Sequence, residues 1–286
     1  MKVLVTGVNG YIGSHIAQIA SEAGHQVDGL DQTITSNYSI VNQYLHQYHM
    51  RSILGDVGSL PEYDAVIHCA ALISVPESME KPTLYYNVNT TATMKMLTEM
   101  KYKHFIFAST GGAFDPISPY AKSKLIAEEA VRQIAPNYSI FRFFNVAGSN
   151  GSYRQIGPAS HIIRIAAEAA VGRRKKMIVF GNDYDTPDGT CIRDYVHIVD
   201  LARTIVRSID NPANSNYECI GSGVDYSNLQ VINTMKKVTG VDFPVEFGPR
   251  RSGDPAKLVV DIASKYVRID HTLKDMCHSA YTMELK

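Results

Sequence analysis

A chain of 286 residues, 45% hydrophobic and 20% charged, has the composition of a globular protein near the length at which one core divides into two. Its 28 basic and 28 acidic side chains balance. That excludes a global field for nucleic acid or an anionic membrane, so an anionic ligand must be gripped locally.

The opening MKVLVTG enters a strand pattern directly, without the charged start, long apolar run and cleavage site of a signal peptide, so a cytoplasmic protein is expected. KVLVT is followed by a helix from about Tyr11, then by strands HQVDGL and DAVIHCAA, a helix from about Ser78 to Met100, strand KHFIFAS, a helix from about Pro119 to Ile134, and strand YSIFRFF. Strands that alternate with helices and are apolar on both faces predict an α/β fold, a doubly wound parallel sheet of the Rossmann type. After Asn145 come a Gly/Ser/Asn-rich stretch, a helix from about Ser160 to Gly172, and a polar loop from Asp183 to Thr190. A boundary near Ala147 gives a dinucleotide-binding domain over 1–147 and a smaller C-terminal α/β lobe over 148–286, with segments free to interleave. The cysteines Cys69, Cys191, Cys219 and Cys277 include no close pair; reduced thiols and no metal site are expected.

Strand KVLVT runs into Gly7, Gly10 and Gly13, spaced three apart, and then into a helix. Glycine lets the backbone approach a pyrophosphate, and the helix start at Tyr11 and Ile12 offers N–H groups and positive dipole to it. The next strand ends in Asp31, eighteen residues beyond Gly13. A carboxylate there suits ribose hydroxyls and repels a 2′-phosphate, and no Arg or Lys follows to offset it, which favours NAD over NADP. Farther on, Tyr120 and Lys124 lie four apart in SPYAKSK, on one helix face. Lys124 can favour the Tyr120 phenolate, making the phenol a base near neutrality, while Thr110 at the end of FIFAST shares a proton between Tyr120 and a substrate hydroxyl. Alone, the Tyr/Lys pair is a common surface pair; its place after the glycine turn, Asp31 and a Thr-ended strand gives it chemical meaning.

The glycine spacing with the Tyr/Lys pair resembles the extended short-chain dehydrogenase/reductases. FRFFNVAGS (141–149), DYDTPDGTCIRDYVHIVDLA (183–202) and PRRSGD (249–254) narrow the resemblance to the UDP-glucose 4-epimerase family and together extend it over nearly the whole chain. The resemblance implies bound NAD, with Asp56 and Val57 at the adenine, Ala70, Ala71 and Leu72 against the dinucleotide, and Asn89 near the cofactor. A loop-start role for Asp56 is the alternative. It implies that Asn145 and His161 contact a UDP-hexose, that Arg193 and Arg251 hold its pyrophosphate, that Phe180 packs on uracil unless it is a core residue, and that Asp254 binds ribose. Planar guanidinium forks suit such a diphosphate. Leu258 stands where the family limits the group on sugar carbon 2, with simple core burial as the alternative. Tyr195 and His197 are read as packing and support. A homodimer is implied too.

Four features depart from that family. Only nine residues separate Thr110 from Tyr120, Gly112 stands where a hydroxyl-bearing residue is usual, His161 replaces an Asn, and Ile73 replaces a Lys. A nucleotide-sugar 4,6-dehydratase needs an acid/base pair directly after the Thr, where this chain has two glycines. A non-catalytic NAD-binding regulator has no need of Tyr120, Lys124 and both arginines together.

Overall fold

The structure is a computed structural model and describes residues 1–210, 216–251, 254–259 and 268–286; Ser252 and Gly253 of the PRRSGD stretch lie outside them. The chain begins β1 (Lys2–Thr6), α1 (Tyr11–Glu22), β2 (Gln26–Asp31), a single turn α2 (Tyr38–Val41), β3 (Gln47–Met50) and β4 (Tyr63–His68). It continues through α3 (Val75–Glu80), α4 (Pro82–Tyr85), a π-helical turn (Tyr86–Thr91), α5 (Ala92–Glu99), β5 (Tyr102–Thr110), α6 (Pro119–Ile134) and β6 (Tyr138–Phe143). Then come β7 (Asn145–Ala147), α7 (Ile162–Ala170), β8 (Met177–Phe180), β9 (Ile192–His197) and α8 (Ile198–Asp210). The last elements are β10 (Asn216–Ile220), β11 (Asp225–Ser227), α9 (Asn228–Thr239), β12 (Val245–Gly248), β13 (Lys257–Leu258) and α10 (Leu273–Glu284).

Two compact units share the chain. The first is Met1–Phe143 with Ala202–Glu218, the second Phe144–Leu201 with Cys219–Lys286. In the first, seven strands run in the order β10-β6-β5-β4-β1-β2-β3, and the successive pairs from β6 to β3 are parallel. Val3, Leu4, Val5, Val66, Ile67, Phe105 and Phe107 are fully buried, as a parallel sheet covered on both faces requires. In the second, β11, β9, β13 and β7 form one sheet and β12 pairs with β8 in another. The helices α7, α9 and α10 supply Ala166, Val231, Met235 and Met276 to the second unit's core.

Local chemistry sets the helix ends. The Ser118 hydroxyl accepts the Ala121 N–H at 3.2 Å and Pro119 follows it, so α6 starts where the sequence places it. The single helix expected over Ser78–Met100 is not formed. Pro82 interrupts it: Lys81 leaves helical geometry (φ −127°, ψ 54°), α3 ends at Glu80, and the chain restarts as α4, the π turn and α5. Strand β3, with the polar sequence QYHM, completes the far edge of the sheet without an apolar signature.

Candidate active site

At the mouth of β1 the chain turns on Gly7, which has φ +68° and whose added Cβ would lie 2.8 Å from the Ala70 nitrogen. A Cβ on Gly13 would lie 2.2 Å from the Gly7 carbonyl oxygen. Only glycine permits both approaches. The first helical hydrogen bond of α1 runs from the Ser14 N–H to Gly10 at 3.1 Å, so the N–H groups of Ile12 and Gly13 precede the helix's own ladder. At the end of β2, Asp31 accepts the Asn9 N–H through one oxygen (3.0 Å) and the Thr33 N–H (3.2 Å) and hydroxyl (3.1 Å) through the other. A carboxylate has about four lone-pair sites, so capacity remains for a further donor. The turn, the helix start and the acid fit a dinucleotide. Asp56 is not directly at a strand end: it lies in the exposed turn after β3, where hydrogen bonds from Ser59 hold its carboxyl below the ordinary range. Val57 is wholly buried in the core.

The same unit brings Thr110, Tyr120 and Lys124 together. The Thr110 hydroxyl accepts the Gly112 N–H at 3.2 Å. Burial raises the Tyr120 phenol above its ordinary range and the Thr110 side chain pulls it back. Lys124, 3% exposed, holds its ammonium 4.0 Å from the centre of the Phe107 ring, and burial pushes it down to about 8 against the opposing pull of Cys69 and Glu128. Asn89 connects this helix to the segment after β4. Its side chain exchanges two 2.9 Å hydrogen bonds with the Leu72 backbone and donates to the Ser123 hydroxyl at 3.0 Å. The Thr90 hydroxyl donates to the Ser123 carbonyl at 2.8 Å. Both grips come from the π turn, whose extra residue aims them at α6. The Ala70 N–H donates to the Thr6 hydroxyl at 3.2 Å, and Ala71 is half-buried between Ala70 and Leu72.

In the second unit, one pocket is lined by Asn145, His161, Phe180, Arg193, Arg251 and Asp254, six side chains from five separate stretches of sequence. The Arg251 guanidinium lies 3.9 Å over the Phe180 ring. Arg193 donates to the Ile192 and Pro255 carbonyls at 2.8 Å and lies 3.7 Å from Asp254, which fixes its direction while leaving donors unused. Asn145 donates to the Asp194 carbonyl at 2.9 Å. Burial, reinforced by Arg164, holds the His161 imidazole below its ordinary range. Leu258 is not among the lining residues; it is the β-register partner of Arg193. Among the described residues, no group of three or more His, Cys, Asp or Glu side chains is disposed to hold a metal ion.

Residues 3–220 match the model of the NAD dependent epimerase/dehydratase family. The chain belongs to that family. Proteins described as UDP-glucose 4-epimerase from Streptococcus mutans and Corynebacterium glutamicum are 36% and 34% identical to it, each alignment covering 91% of this chain and 88% and 87% of theirs. The UDP-glucose 4-epimerase of Bifidobacterium longum, solved with NAD+ and UDP, superposes with a TM-score of 0.91 at 30% identity, covering 100% of this chain and 98% of that one. The UDP-Glc/GlcNAc 4-epimerase of Campylobacter jejuni does so with a TM-score of 0.83 at 34% identity, covering 99% of both.

For a member of this family, the pocket also holds residues that the sequence reading did not assign to it. Tyr195, read as packing, lines it together with Ser160, Cys191 and Asn228. Asn228 opens α9, and its N–H donates to the Cys191 carbonyl at 3.0 Å; no motif marks it. His197 has the supporting place expected: its Nδ1 accepts the Val199 N–H, its Nε2 lies 3.1 Å from the Ser279 hydroxyl, and its ring stacks on His271 at 4.1 Å.

Proposed function

We propose that this chain interconverts UDP-glucose and UDP-galactose by reversible oxidation at carbon 4 of the hexose, through a 4-keto sugar. The observation that carries the reading is the stacking of Arg251 on Phe180 beside Arg193 in one pocket. An aromatic face suits a uracil ring, and two guanidinium forks suit a pyrophosphate.

Bound NAD would supply the hydride acceptor for carbon 4 and the donor for its return, with no net change in the cofactor. The chain's own residues do the remainder. Tyr120 removes the proton of the 4-hydroxyl, and Thr110 shares that proton between phenol and substrate, a role supported by the downward pull of Thr110 on the phenol. Lys124 supplies the neighbouring charge that favours phenolate. Asp31 accepts the ribose hydroxyls, and the Gly7–Gly13 turn takes the dinucleotide pyrophosphate on the α1 N–H groups. Arg193 and Arg251 anchor the substrate pyrophosphate while the keto sugar turns over, Asp254 holds its ribose, and Asn145 and His161 lie toward the sugar. Incubation with UDP-galactose without added cofactor, followed by chromatographic separation of the UDP-hexoses, tests the reading. UDP-glucose is the expected product, and unchanged UDP-galactose overturns it.

A wider sugar range is the second reading. It is supported by the likeness to the Campylobacter jejuni UDP-Glc/GlcNAc 4-epimerase and by Gly112, where an added Cβ would find nothing closer than the Thr110 hydroxyl at 3.5 Å. A homodimer is the assembly we favour. Leu84, Met94 and Ile126, on α4, α5 and α6, are large apolar side chains more than 40% exposed, and light scattering reads the mass directly. Four free thiols fit the reducing cytoplasm.

A further inference from the structure

Glu128 is fully buried on α6, one helical turn beyond Lys124 and two beyond Tyr120. A buried carboxylate persists only where it is paired and hydrogen-bonded, and Glu128 is both. Arg142 of β6 grips it with a two-pronged fork, Nε to Oε1 and Nη2 to Oε2, each 2.8 Å. The Ser109 hydroxyl of β5 donates to Oε1, and Arg132 donates to Oε2 at 3.2 Å. Ser109 and Arg142 are register partners across β5 and β6, and the next pair in that ladder is Thr110 with Phe143. The carboxylate thus fastens the catalytic helix to the two strands one residue before Thr110. The Arg142 guanidinium is itself held 4.5 Å from the Phe114 ring and 4.9 Å from the Tyr217 ring. Phe114 closes the short turn that follows Thr110, so the same cation braces the connection leading to α6.

We propose that Glu128 is a positioning residue for the reaction: with Ser109 and Arg142 it fixes α6 along β5, so that the Tyr120 phenol stays within hydrogen-bond reach of Thr110. The role rests on Tyr120 and Thr110 being the proton-transferring pair. Helix α6 already packs Ala127 and Val131 in the core. What a fork and a hydroxyl add is axial register, and a displacement of about 1 Å at a reacting group can cost about a hundredfold in rate. The carboxylate also opposes the effect of burial on Lys124.

The test compares Ser109→Ala, Glu128→Gln and the double variant Glu128→Gln/Arg142→Met in steady-state epimerisation of UDP-galactose, with melting temperature measured on each. Ser109→Ala keeps every charge. It is expected to lower kcat about threefold to tenfold with KM unchanged and only a small loss of melting temperature. Glu128→Gln strands the Arg142 charge and is expected to lose stability as well as about tenfold or more in kcat. The double variant removes the stranded charge, so stability returns while kcat stays low. Full recovery of kcat with stability, or a wild-type kcat in Ser109→Ala, overturns the positioning role. Tyr120→Phe is run alongside. Activity surviving there sinks the catalytic reading itself, whereas a dead Tyr120→Phe beside fully active Ser109 and Glu128 variants removes only this proposal.

Discussion

In the first unit the side chains proposed to carry the chemistry are buried and braced from several directions. Lys124, Asn89 and Glu128 are each no more than 3% exposed, and hydrogen bonds from the π turn, β5 and β6 converge on α6. In the second unit Arg251 is held more lightly than Arg193, whose direction two carbonyls fix. Arg251 is an exposed residue stacked on the Phe180 face, and the Asp254 side chain is 39% exposed beside Arg193. The contrast follows from the two tasks. Proton transfer needs groups fixed to a fraction of an ångström in a dry setting, while a diphosphate can be met by long, planar cations that adjust to it. Damage to the braced region should therefore appear in kcat, and damage to the lighter one in KM.

The largest expected effect comes from removing the buried charge. Lys124→Met should lower kcat by about 10²-fold or more while KM moves little. The same variant sharpens the argument through stability. Burial holds Lys124 at about 8, against an ordinary value of 10.5. Below pH 8 the folded and unfolded chains both carry the charge, and the folded chain bears the full cost of its burial. Between those two values the folded chain has released the proton and the cost fades, so wild-type stability rises with pH through this window. Lys124→Met should accordingly melt above wild type at pH 7, with the difference shrinking by pH 10. A difference that does not change with pH would show that the ammonium is not desolvated.

A smaller effect is expected in the second unit. Arg251→Ala should raise KM for UDP-galactose about tenfold to a hundredfold, the range for losing a charge-assisted hydrogen bond, with kcat within about threefold of wild type. Equal losses in kcat and unchanged KM would break the division between the units. The smallest effect concerns Leu258, which stands beside Arg193 in the ladder. Leu258→Ser should raise the kcat/KM for UDP-N-acetylglucosamine relative to UDP-glucose by about twofold to fivefold, through relief of bulk. An unmoved ratio means that Leu258 does not limit the sugar.

The sequence was most readable where a local rule and a tertiary requirement coincide. Ser118, Pro119 and the apolar spacing define α6 to the residue, and the glycine turn reports its own close contacts. It was least readable where structure depends on partners far along the chain. The π turn that aims Asn89 has no sequence mark beyond the break at Pro82. Asn228 reaches the pocket only because α9 begins there. Glu128 and Glu129 look alike in sequence, yet one is buried and the other exposed. A usable signal did exist for Glu128: Arg142 sits in the otherwise apolar strand YSIFRFF, and a cation in a buried strand requires a buried acid opposite it.

The return of residues 202–218 to the first unit has a bearing on the order of assembly. Strand β10 borders β6 at the margin of the seven-stranded sheet, but it is made after β7, α7, β8 and β9. A chain emerging from the ribosome therefore holds β1 to β6 for some seventy residues of synthesis with the hydrogen-bonding groups of β6 still open along one side, the kind of edge that invites pairing with another nascent chain. A fragment ending at Phe143 would keep that open margin permanently. Co-expression of a 202–218 peptide or a chaperone should matter more to its solubility than any substitution in its core.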